Sequence, residues 1–276
     1  MHFAVIGSRG MFGTDMVRLL MAQQNQVTGF DRDSMDLSGS SEELSQQLKG
    51  FDVIINAVAY TAVDQSEADK DVATLVNGEY AGKLALASAQ VGAKFMHIST
   101  DYVFDGSSNT PYSTLASTNP QSAYGSSKLL GEKLVSESGA NYTIFRTAWL
   151  YGRFGRCFPR VIFEKASKGE PLRVVNDQFG QPTWTKDLAH QVLAFAEIEQ
   201  APQIVHAVSS GAASWFDFAK EIVGDYSVAP VQSSEFVTAA IRPLYSVLDN
   251  SSALVPPIGN WKERWALAKL EVLEGL

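Results

Sequence analysis

The stretch HFAVIGSRGMFG, residues 2–13, decides the fold of this chain of 276 residues. Its apolar start predicts a short buried strand, which runs directly into a turn with glycines at Gly7, Gly10 and Gly13. A helical pattern follows. Such glycines let a pyrophosphate approach the backbone N–H groups at a helix N-terminus, where the helix dipole favours an anion. The stretch therefore predicts the first strand, turn and helix of a dinucleotide-binding fold.

The next segment, QVTGF at residues 26–30, predicts a second strand that ends at Asp31 and Arg32. An acid about 20 residues beyond the glycine turn is placed to accept a hydrogen bond from the adenosine ribose. Asp31 would accept from a 2′-hydroxyl and favour NAD, whereas Arg32 would grip a 2′-phosphate and favour NADP. The pair therefore does not decide between NADH and NADPH as the cofactor.

Strand-like and helix-like segments alternate from here on, which predicts an α/β fold with a Rossmann-type, doubly wound parallel sheet. We expect a dinucleotide-binding domain at residues 1–152 and a small C-terminal substrate lobe, mostly 153–276. The two are interleaved, because residues 172–208 are expected to return to the sheet. The helices and strands expected beyond Arg153 are helices near 157–168, 185–198 and 214–224, and strands near 172–175 and 203–207.

The composition excludes several classes of function. A net charge of −8 and a pI near 5.0, with the basic residues dispersed, argue against a nucleic-acid surface. The single cysteine, Cys157, and the absence of a signal peptide or long apolar run predict a cytoplasmic protein with no membrane partner. The four histidines are scattered without ligand spacing, so no metal site is predicted.

Tyr124 and Lys128 are the pair in the sequence that most directly indicates chemistry. Residues four apart on a helix share a face, so a helix that begins near Tyr124 brings the two side chains together. A nearby ammonium is expected to lower the pKa of a phenol from about 10 towards useful proton transfer. Thr100, at the end of the predicted strand 94–99, would supply a second donor to a carbonyl oxygen. These residue types predict a carbonyl reductase.

Several segments together resemble one family across the whole chain. They are NAVAYTAVD (56–64), STDYVFDG (99–106), YGSSKLLGE (124–132), FRTAWLYG (145–152), NDQFGQPT (176–183) and RPLYS (242–246). With the glycine turn, they make the chain similar to the extended short-chain dehydrogenase/reductases and, among these, to the dTDP-4-dehydrorhamnose reductase family. STDYVFDG and NDQFGQPT narrow the resemblance to this branch.

The resemblance implies roles for individual residues. The expected catalytic residues are Thr100, Tyr124 and Lys128. The expected cofactor-binding residues are Gly7, Gly10, Met11, Phe12 and Gly13 at the pyrophosphate; Asp31 and Arg32 at the ribose; Asp36 and Leu37 at the adenine; Ala59, Tyr60 and Thr61 at the nicotinamide half; and Asn77, Tyr124 and Lys128. The expected substrate-binding residues are Thr100, Asp101, Tyr102, Trp149 and Arg242.

The activity implied by the resemblance is hydride transfer from NADPH or NADH to the C4 ketone of a nucleotide-linked deoxysugar, foremost dTDP-4-dehydro-β-L-rhamnose. Alternatives are another nucleotide-sugar reductase, an epimerase or a dehydratase. A further alternative is a non-catalytic subunit similar to the regulatory subunit of methionine adenosyltransferase. Members of the family form dimers, so a homodimer is a possible assembly.

Overall fold

The computed structural model describes residues 1–251 and 254–276. The strands are β1 His2–Ile6, β2 Gln26–Phe30, β3 Val53–Asn56, β4 Lys94–Thr100, β5 Asn141–Thr147, β6 Leu150–Tyr151, β7 Leu172–Val175, β8 Phe179–Gly180, β9 Thr183–Trp184, β10 Ile204–His206, β11 Ser209–Ser210, β12 Ala213–Ser214, β13 Val228–Val231 and β14 Ile258–Asn260. The α-helices are α1 Met11–Ala22, α2 Ser41–Gln47, α3 Lys70–Ala73, α4 Tyr80–Val91, α5 Ala123–Ser136, α6 Phe158–Ser167, α7 Thr185–Ala196, α8 Trp215–Val223 and α9 Trp261–Val272. Tighter 3₁₀ turns occur at Gln65–Glu67, Asp101–Val103 and Ser233–Glu235.

Six parallel strands form the central sheet, in the order β2-β1-β3-β4-β5-β10. The chain places β2 on one side of β1 and then crosses to place β3 on the other side. Such a reversal opens a crevice at the carboxyl ends of the strands, where ligands bind in open α/β sheets. The predicted Rossmann-type fold is confirmed, and the crevice lies beyond β1 and β3.

Helices cover both faces of this sheet because β1 is apolar on both sides. Alternate residues of a strand point to opposite faces, so Phe3 and Val5 join one core with α1 and α7. Ala4 and Ile6 join a second core with α2 and α4 on the other face. All four side chains are at most 1% exposed, as expected for a strand in the middle of a doubly wound sheet.

A third core lies in the C-terminal part of the chain. It contains Phe218 of α8 and Trp265 of α9, both almost fully buried, together with apolar residues of β7 and β13. The predicted helices near 157–168, 185–198 and 214–224 and strands near 172–175 and 203–207 are confirmed.

The way in which the two parts of the chain interleave is visible in the strand pairing. Strand β10 completes the central sheet beside β5, whereas β7 pairs with β13 outside it. The division into domains at residue 152 stays a prediction.

The helical segment from Lys70 to Val91 is not one regular α-helix. Between α3 and α4 the segment Thr74–Glu79 widens into a π-helical turn, and α4 ends at Gly92 in the left-handed conformation. The π turn buries Asn77 and Gly78 against α5. Sequence periodicity does not reveal a single wide turn, because the apolar pattern on either side of it continues.

Within the described residues, no helix combines the length and apolar character that crossing a bilayer requires.

Candidate active site

The glycine turn lies at the crevice between β1 and β3. Gly7 has a φ of +86°, and a Cβ at this position would lie 3.0 Å from the backbone nitrogen of Val58, in the loop after β3. A Cβ at Gly13 would lie 2.1 Å from the carbonyl oxygen of Gly7. Side chains at either position would therefore push the turn away from its neighbours, and the backbone itself forms the wall of the crevice.

Helix α1 begins at Met11, immediately after this turn. Gly10 precedes the helix without a side chain to cap it, so the first N–H groups of α1 point towards the crevice. The side chain of Phe12 is buried in the core beneath the sheet, which leaves only its backbone for a ligand. The predicted cradle of Gly10, Met11 and Phe12 is thus made of backbone N–H groups, the donors that suit a pyrophosphate.

Asp31 follows β2 at the same edge of the sheet and already has a cationic partner. Its Oδ2 lies 2.7 Å from Nε of Arg9, and its Oδ1 accepts from the backbone N–H of Asp33 at 3.0 Å. The same Arg9 reaches Oδ2 of Asp33 at 2.8 Å while remaining 72% exposed. The sequence-based interpretation considered Arg32, whose side chain is exposed, and missed Arg9. A basic residue inside the glycine turn, facing an acid after β2, was the available signal.

Asp36 and Leu37, expected near the adenine, lie on the loop between β2 and α2. Asp36 is exposed, and a hydrogen bond from the backbone N–H of Ser38 lowers the pKa of its carboxyl. Leu37 is partly buried against the core on the α2 side of the sheet. Both side chains are therefore held in place close to the end of β2.

The loop after β3 is held by Asn77 of the π turn. The Oδ1 of Asn77 accepts from the N–H of Tyr60 at 2.8 Å, and its Nδ2 donates to the carbonyl of Tyr60 at 3.1 Å. The same Nδ2 donates to Oγ of Ser127, which in turn donates to the carbonyl of Tyr124. Asn77 is 1% exposed and thus ties the loop containing Ala59, Tyr60 and Thr61 to α5. Its amide is fully engaged with protein atoms.

Thr100 is the last residue of β4 and pairs in register with Thr147, the last residue of β5. Its Oγ1 donates to Oδ1 of Asp101 at 3.0 Å and accepts from the N–H of Tyr102 at 3.3 Å. Asp101 is only 2% exposed, and burial raises the pKa of its carboxyl to about 6. The end of β4 therefore presents a hydroxyl and a buried carboxyl together at the carboxyl edge of the sheet.

Tyr124 lies in the first turn of α5, which begins after Ser122. The Oγ of Ser122 caps the helix by accepting from the N–H of Gly125 at 3.1 Å. The phenol of Tyr124 interacts with the hydroxyl of Thr100, and its ring meets the ring of Tyr102 edge-on at 5.6 Å. Burial, with smaller contributions from Asp101 and Tyr102, raises the pKa of Tyr124 above its ordinary value. The expected lowering of this pKa by Lys128 is therefore wrong in this structure, because burial dominates.

Lys128 is one turn further along α5 and is 1% exposed. Its Nζ donates to the carbonyl of Ile98 in β4 at 2.6 Å, and burial lowers the pKa of the amine to about 8, against the opposing effect of Glu132. The ammonium thus points from α5 towards the end of β4. The structure brings Thr100, Tyr124 and Lys128 to one edge of the sheet.

A buried ion pair that the sequence-based interpretation missed anchors α5 to the sheet. Glu132 of α5 accepts from Arg146 of β5 at 2.7–3.2 Å and from Oγ of Ser99 of β4 at 2.5 Å. Both charged side chains are at most 5% exposed. Removing one partner of such a pair leaves a buried charge unpaired, which lowers the free energy of unfolding by about 3–5 kcal/mol. The only available signal was that Glu132 lies within the segment YGSSKLLGE.

Arg242 reaches the same region from the C-terminal part of the chain. Its Nη2 lies 2.6 Å from Oδ2 of Asp64, and its Nη1 donates to the hydroxyl of Tyr102 at 3.1 Å. Asp64 also accepts from the N–H of Ala240. The guanidinium predicted to meet a diphosphate is therefore paired with a carboxylate, and the pairing connects the loop after β3 to the segment near residue 240.

Trp149 lies two residues beyond Thr147, the last residue of β5 and the register partner of Thr100. Its φ is +46°, and its indole stacks on Trp215, with ring centroids 3.6 Å apart and ring planes at 7°. The side chain remains partly exposed at the carboxyl edge of the sheet. The predicted sugar-contact residues thus follow the ends of two neighbouring strands, Thr100, Asp101 and Tyr102 at β4 and Trp149 at β5.

Comparisons with known proteins agree with this geometry. The family model described as the RmlD substrate binding domain matches residues 1–271. A dTDP-4-dehydrorhamnose reductase of Burkholderia thailandensis is 39% identical over 274 residues, covering 91% of each chain. A dTDP-4-keto-6-deoxy-D-glucose reductase of Streptomyces niveus is 37% identical, covering 94% of this chain and 93% of that protein. The crystal structure of the Bacillus anthracis dTDP-4-dehydrorhamnose reductase in complex with NADP superposes with a TM-score of 0.93 at 32% identity, covering 98% and 99% of the two chains.

The parallel sheet, the glycine turn at its switch point and a Tyr-x-x-x-Lys helix at its carboxyl edge define a short-chain dehydrogenase/reductase of the extended type. The similarity to sequences and structures of one branch runs over nearly the full length of the chain. The chain belongs to the dTDP-4-dehydrorhamnose reductase family.

Proposed function

We propose that this chain uses NADPH or NADH to reduce the C4 ketone of dTDP-4-dehydro-β-L-rhamnose, giving dTDP-L-rhamnose. The observation that carries the proposal is the position of Tyr124 at the carboxyl edge of the sheet, where its ring packs against Tyr102, whose N–H donates to the hydroxyl of Thr100. Lys128 lies one helical turn away, and the glycine turn opens on the same crevice. A proton donor, a carbonyl-polarising hydroxyl and a dinucleotide cradle are the parts that a ketone reductase needs.

The residues of the crevice fit a nicotinamide dinucleotide. The backbone at Gly7 and Gly13 leaves no room for side chains. No side chain caps the N-terminus of α1, so its first backbone N–H groups can donate to a pyrophosphate. Asp31 would hold the adenosine ribose, and the loop Ala59–Thr61, fixed by Asn77, would lie against the nicotinamide half. The cofactor, once bound, supplies the hydride that reduces the ketone carbon.

Tyr124 acts as the general acid in this proposal. Its raised pKa keeps the phenol protonated at neutral pH, so the proton is in place for the ketone oxygen as negative charge develops there. Thr100 donates to the same oxygen and stabilises that charge. Lys128, whose pKa of about 8 leaves it mostly charged at pH 7, orients the ribose and stabilises the phenolate after the proton has left.

Asp101, Tyr102 and Trp149 would hold the sugar, and Arg242 would reach the diphosphate by exchanging one of its present partners. The partly exposed indole of Trp149 offers an apolar surface to a deoxysugar. Arg242 has the fork geometry that suits paired phosphate oxygens.

The experiment that tests the proposal follows NADPH oxidation on addition of dTDP-4-dehydro-β-L-rhamnose. We expect turnover with this substrate and formation of dTDP-L-rhamnose, identified by chromatography. A nucleotide sugar without a ketone serves as the control. Oxidation with dTDP-4-keto-6-deoxy-D-glucose instead, the substrate type named for the Streptomyces niveus relative, would assign another sugar. Binding of NADPH without turnover of either ketone would contradict the proposal and favour a non-catalytic role.

Two further expectations are part of the proposal. Light scattering on the purified protein tests the homodimer, and fractionation of cells tests the cytoplasmic location. Both stay predictions.

A further inference from the structure

Trp149 is held in an unfavourable backbone conformation. Its φ of +46° lies in the left-handed region, which bulky side chains rarely adopt. The residue stands in the two-residue connection between β5 and β6, at the carboxyl edge of the sheet. A strained conformation of this kind persists only when surrounding contacts enforce it, and it is commonly found at functional sites.

Trp215, the first residue of α8, supplies one of these contacts. The two indoles lie 3.6 Å apart between centroids and are nearly parallel. Trp215 is itself fixed, because Ser214 and Asp217 form a capping box at the start of α8 and Phe158 packs against it at 4.5 Å. Trp215 therefore covers one face of the Trp149 indole with a rigid surface.

Gly180 supplies the second contact. A Cβ at this position would lie 2.4 Å from Cε2 of Trp149 and slightly further, 2.6 and 2.7 Å, from its bonded neighbours Nε1 and Cζ2, so the glycine backbone lies over a face of the indole. Gly180 belongs to β8, which pairs with β12, and β12 leads directly into α8. The indole of Trp149 is thus held between the Trp215 ring on one face and the Gly180 backbone on the other, both supplied by the C-terminal part of the chain.

We propose that Trp215, together with the backbone at Gly180, is a positioning element for substrate recognition, which holds Trp149 between them so that the exposed edge of its indole meets the deoxysugar. This inference rests on the proposed contact between Trp149 and the sugar. Trp215 acts through Trp149 and does not itself touch the reacting atoms. The sugar site is accordingly completed by the C-terminal part of the chain, although Trp149 belongs to the loop after β5.

The test compares four variants: Trp149→Ala, Trp215→Ala, Trp215→Phe and Gly180→Ala. An aromatic stacking contact of this kind corresponds to a change of about 2- to 10-fold in affinity, so Trp215→Ala and Gly180→Ala should each raise KM for the nucleotide sugar by that factor. We expect kcat and the Kd for NADPH to stay near their wild-type values. Trp215→Phe keeps an aromatic surface and should restore most of the lost affinity. Phe216→Leu, which shortens the neighbouring side chain of α8, is the matched control.

Two readouts separate positioning from simple destabilisation. Stacked indoles give an exciton couplet in the far-ultraviolet circular dichroism, which should disappear in both Trp→Ala variants and weaken in Gly180→Ala. The double variant Trp149→Ala/Trp215→Ala should have the same KM as Trp149→Ala alone, because Trp215 has nothing left to position. Gly180→Ala keeps the test decisive if Trp215→Ala is too unstable to assay.

The outcomes distinguish the two proposals. A raised KM in Trp149→Ala with a wild-type KM in Trp215→Ala and Gly180→Ala would overturn the positioning role alone. Additive effects in the double variant would also overturn it, since Trp215 would then act independently. A wild-type KM in Trp149→Ala would remove the sugar contact on which the inference rests.

Discussion

Asn77 and Tyr60 exchange two hydrogen bonds, one from the Tyr60 N–H to Asn77 Oδ1 at 2.8 Å and one from Asn77 Nδ2 to the Tyr60 carbonyl at 3.1 Å. The remaining Nδ2 proton goes to Ser127 of α5. A single buried amide thus sets the distance between the loop expected to face the nicotinamide and the helix that contains Tyr124.

Replacing Asn77 with Ala should therefore affect both stability and catalysis. The change leaves part-buried backbone groups of Tyr60 and the buried hydroxyl of Ser127 without their partner, so we expect a loss of about 1–3 kcal/mol in the free energy of unfolding, measured by urea denaturation. The kcat should fall as well, because the loop and α5 lose their common anchor. Asn141→Ala, an exposed position at the start of β5, is the control. A variant with wild-type stability and kcat would show that the amide is dispensable.

Arg9 is expected to determine the affinity for NADPH relative to that for NADH. Its guanidinium lies beside Asp31, where it partly neutralises the carboxylate and is exposed enough to turn towards a 2′-phosphate. Arg9→Gln should weaken NADPH binding about 10-fold and leave NADH binding nearly unchanged, as measured by cofactor fluorescence. Arg18→Gln, on α1 and away from the glycine turn, is the control. Equal losses for both cofactors would contradict this role.

Much of the fold was predictable because local patterns determine it. The apolar run before Gly7 and the alternation of strands and helices predicted the sheet, and the spacing of Tyr124 and Lys128 predicted their helix. The partners of these residues were not predictable. Glu132 meets Arg146 only because α5 packs across β5. Trp149 stacks on Trp215 although the two residues are 66 positions apart in the sequence. Long-range contacts of this kind depend on packing that no local pattern encodes.

The pKa of Tyr124 illustrates the same limit. Helical spacing places Lys128 one turn away, but it does not show that the ammonium bonds to the Ile98 carbonyl or that burial dominates at the phenol. Desolvation depends on every element packed around a group.

The buried ammonium of Lys128 is expected to lower the free energy of unfolding, although the residue is needed for turnover. Burial lowers its pKa to about 8, whereas the unfolded chain has the ordinary value near 10.5. The unfolded state therefore binds more protons between these values, and the stability of the wild type rises with pH across this window. Lys128→Met should be more stable than the wild type by about 1–3 kcal/mol at pH 7, a difference that shrinks as pH rises through 8 towards 10.5.

The measurement is chemical denaturation at several pH values, with exposed Lys133→Met as the control. Lys128→Met should also lose most of its turnover. A variant less stable than the wild type at pH 7 would show that the buried ammonium contributes net stabilisation.

Asp101 is expected to make substrate binding depend on pH. Burial raises its pKa to about 6, and the groups facing it are Thr100, Tyr102, Tyr124 and Ser246. In the proposed function, the carboxylate would accept hydrogen bonds from sugar hydroxyls above this pH and would lose that capacity on protonation, so KM should rise as pH falls through about 6. Asp101→Asn should have a raised KM without this inflection. Asp105→Asn is the control, because local hydrogen bonds hold the pKa of Asp105 at about 2. An unchanged inflection in Asp101→Asn would assign it to another group.

The most direct test of the account compares Tyr124→Phe with the wild type in single-turnover oxidation of NADPH by dTDP-4-dehydro-β-L-rhamnose. The substitution removes one hydroxyl and keeps the ring against Tyr102, so the fold and the Kd for NADPH should be retained. Loss of a general acid predicts a rate lower by about 10²- to 10⁴-fold. A Tyr124→Phe enzyme that reduces the ketone at the wild-type rate would contradict the account.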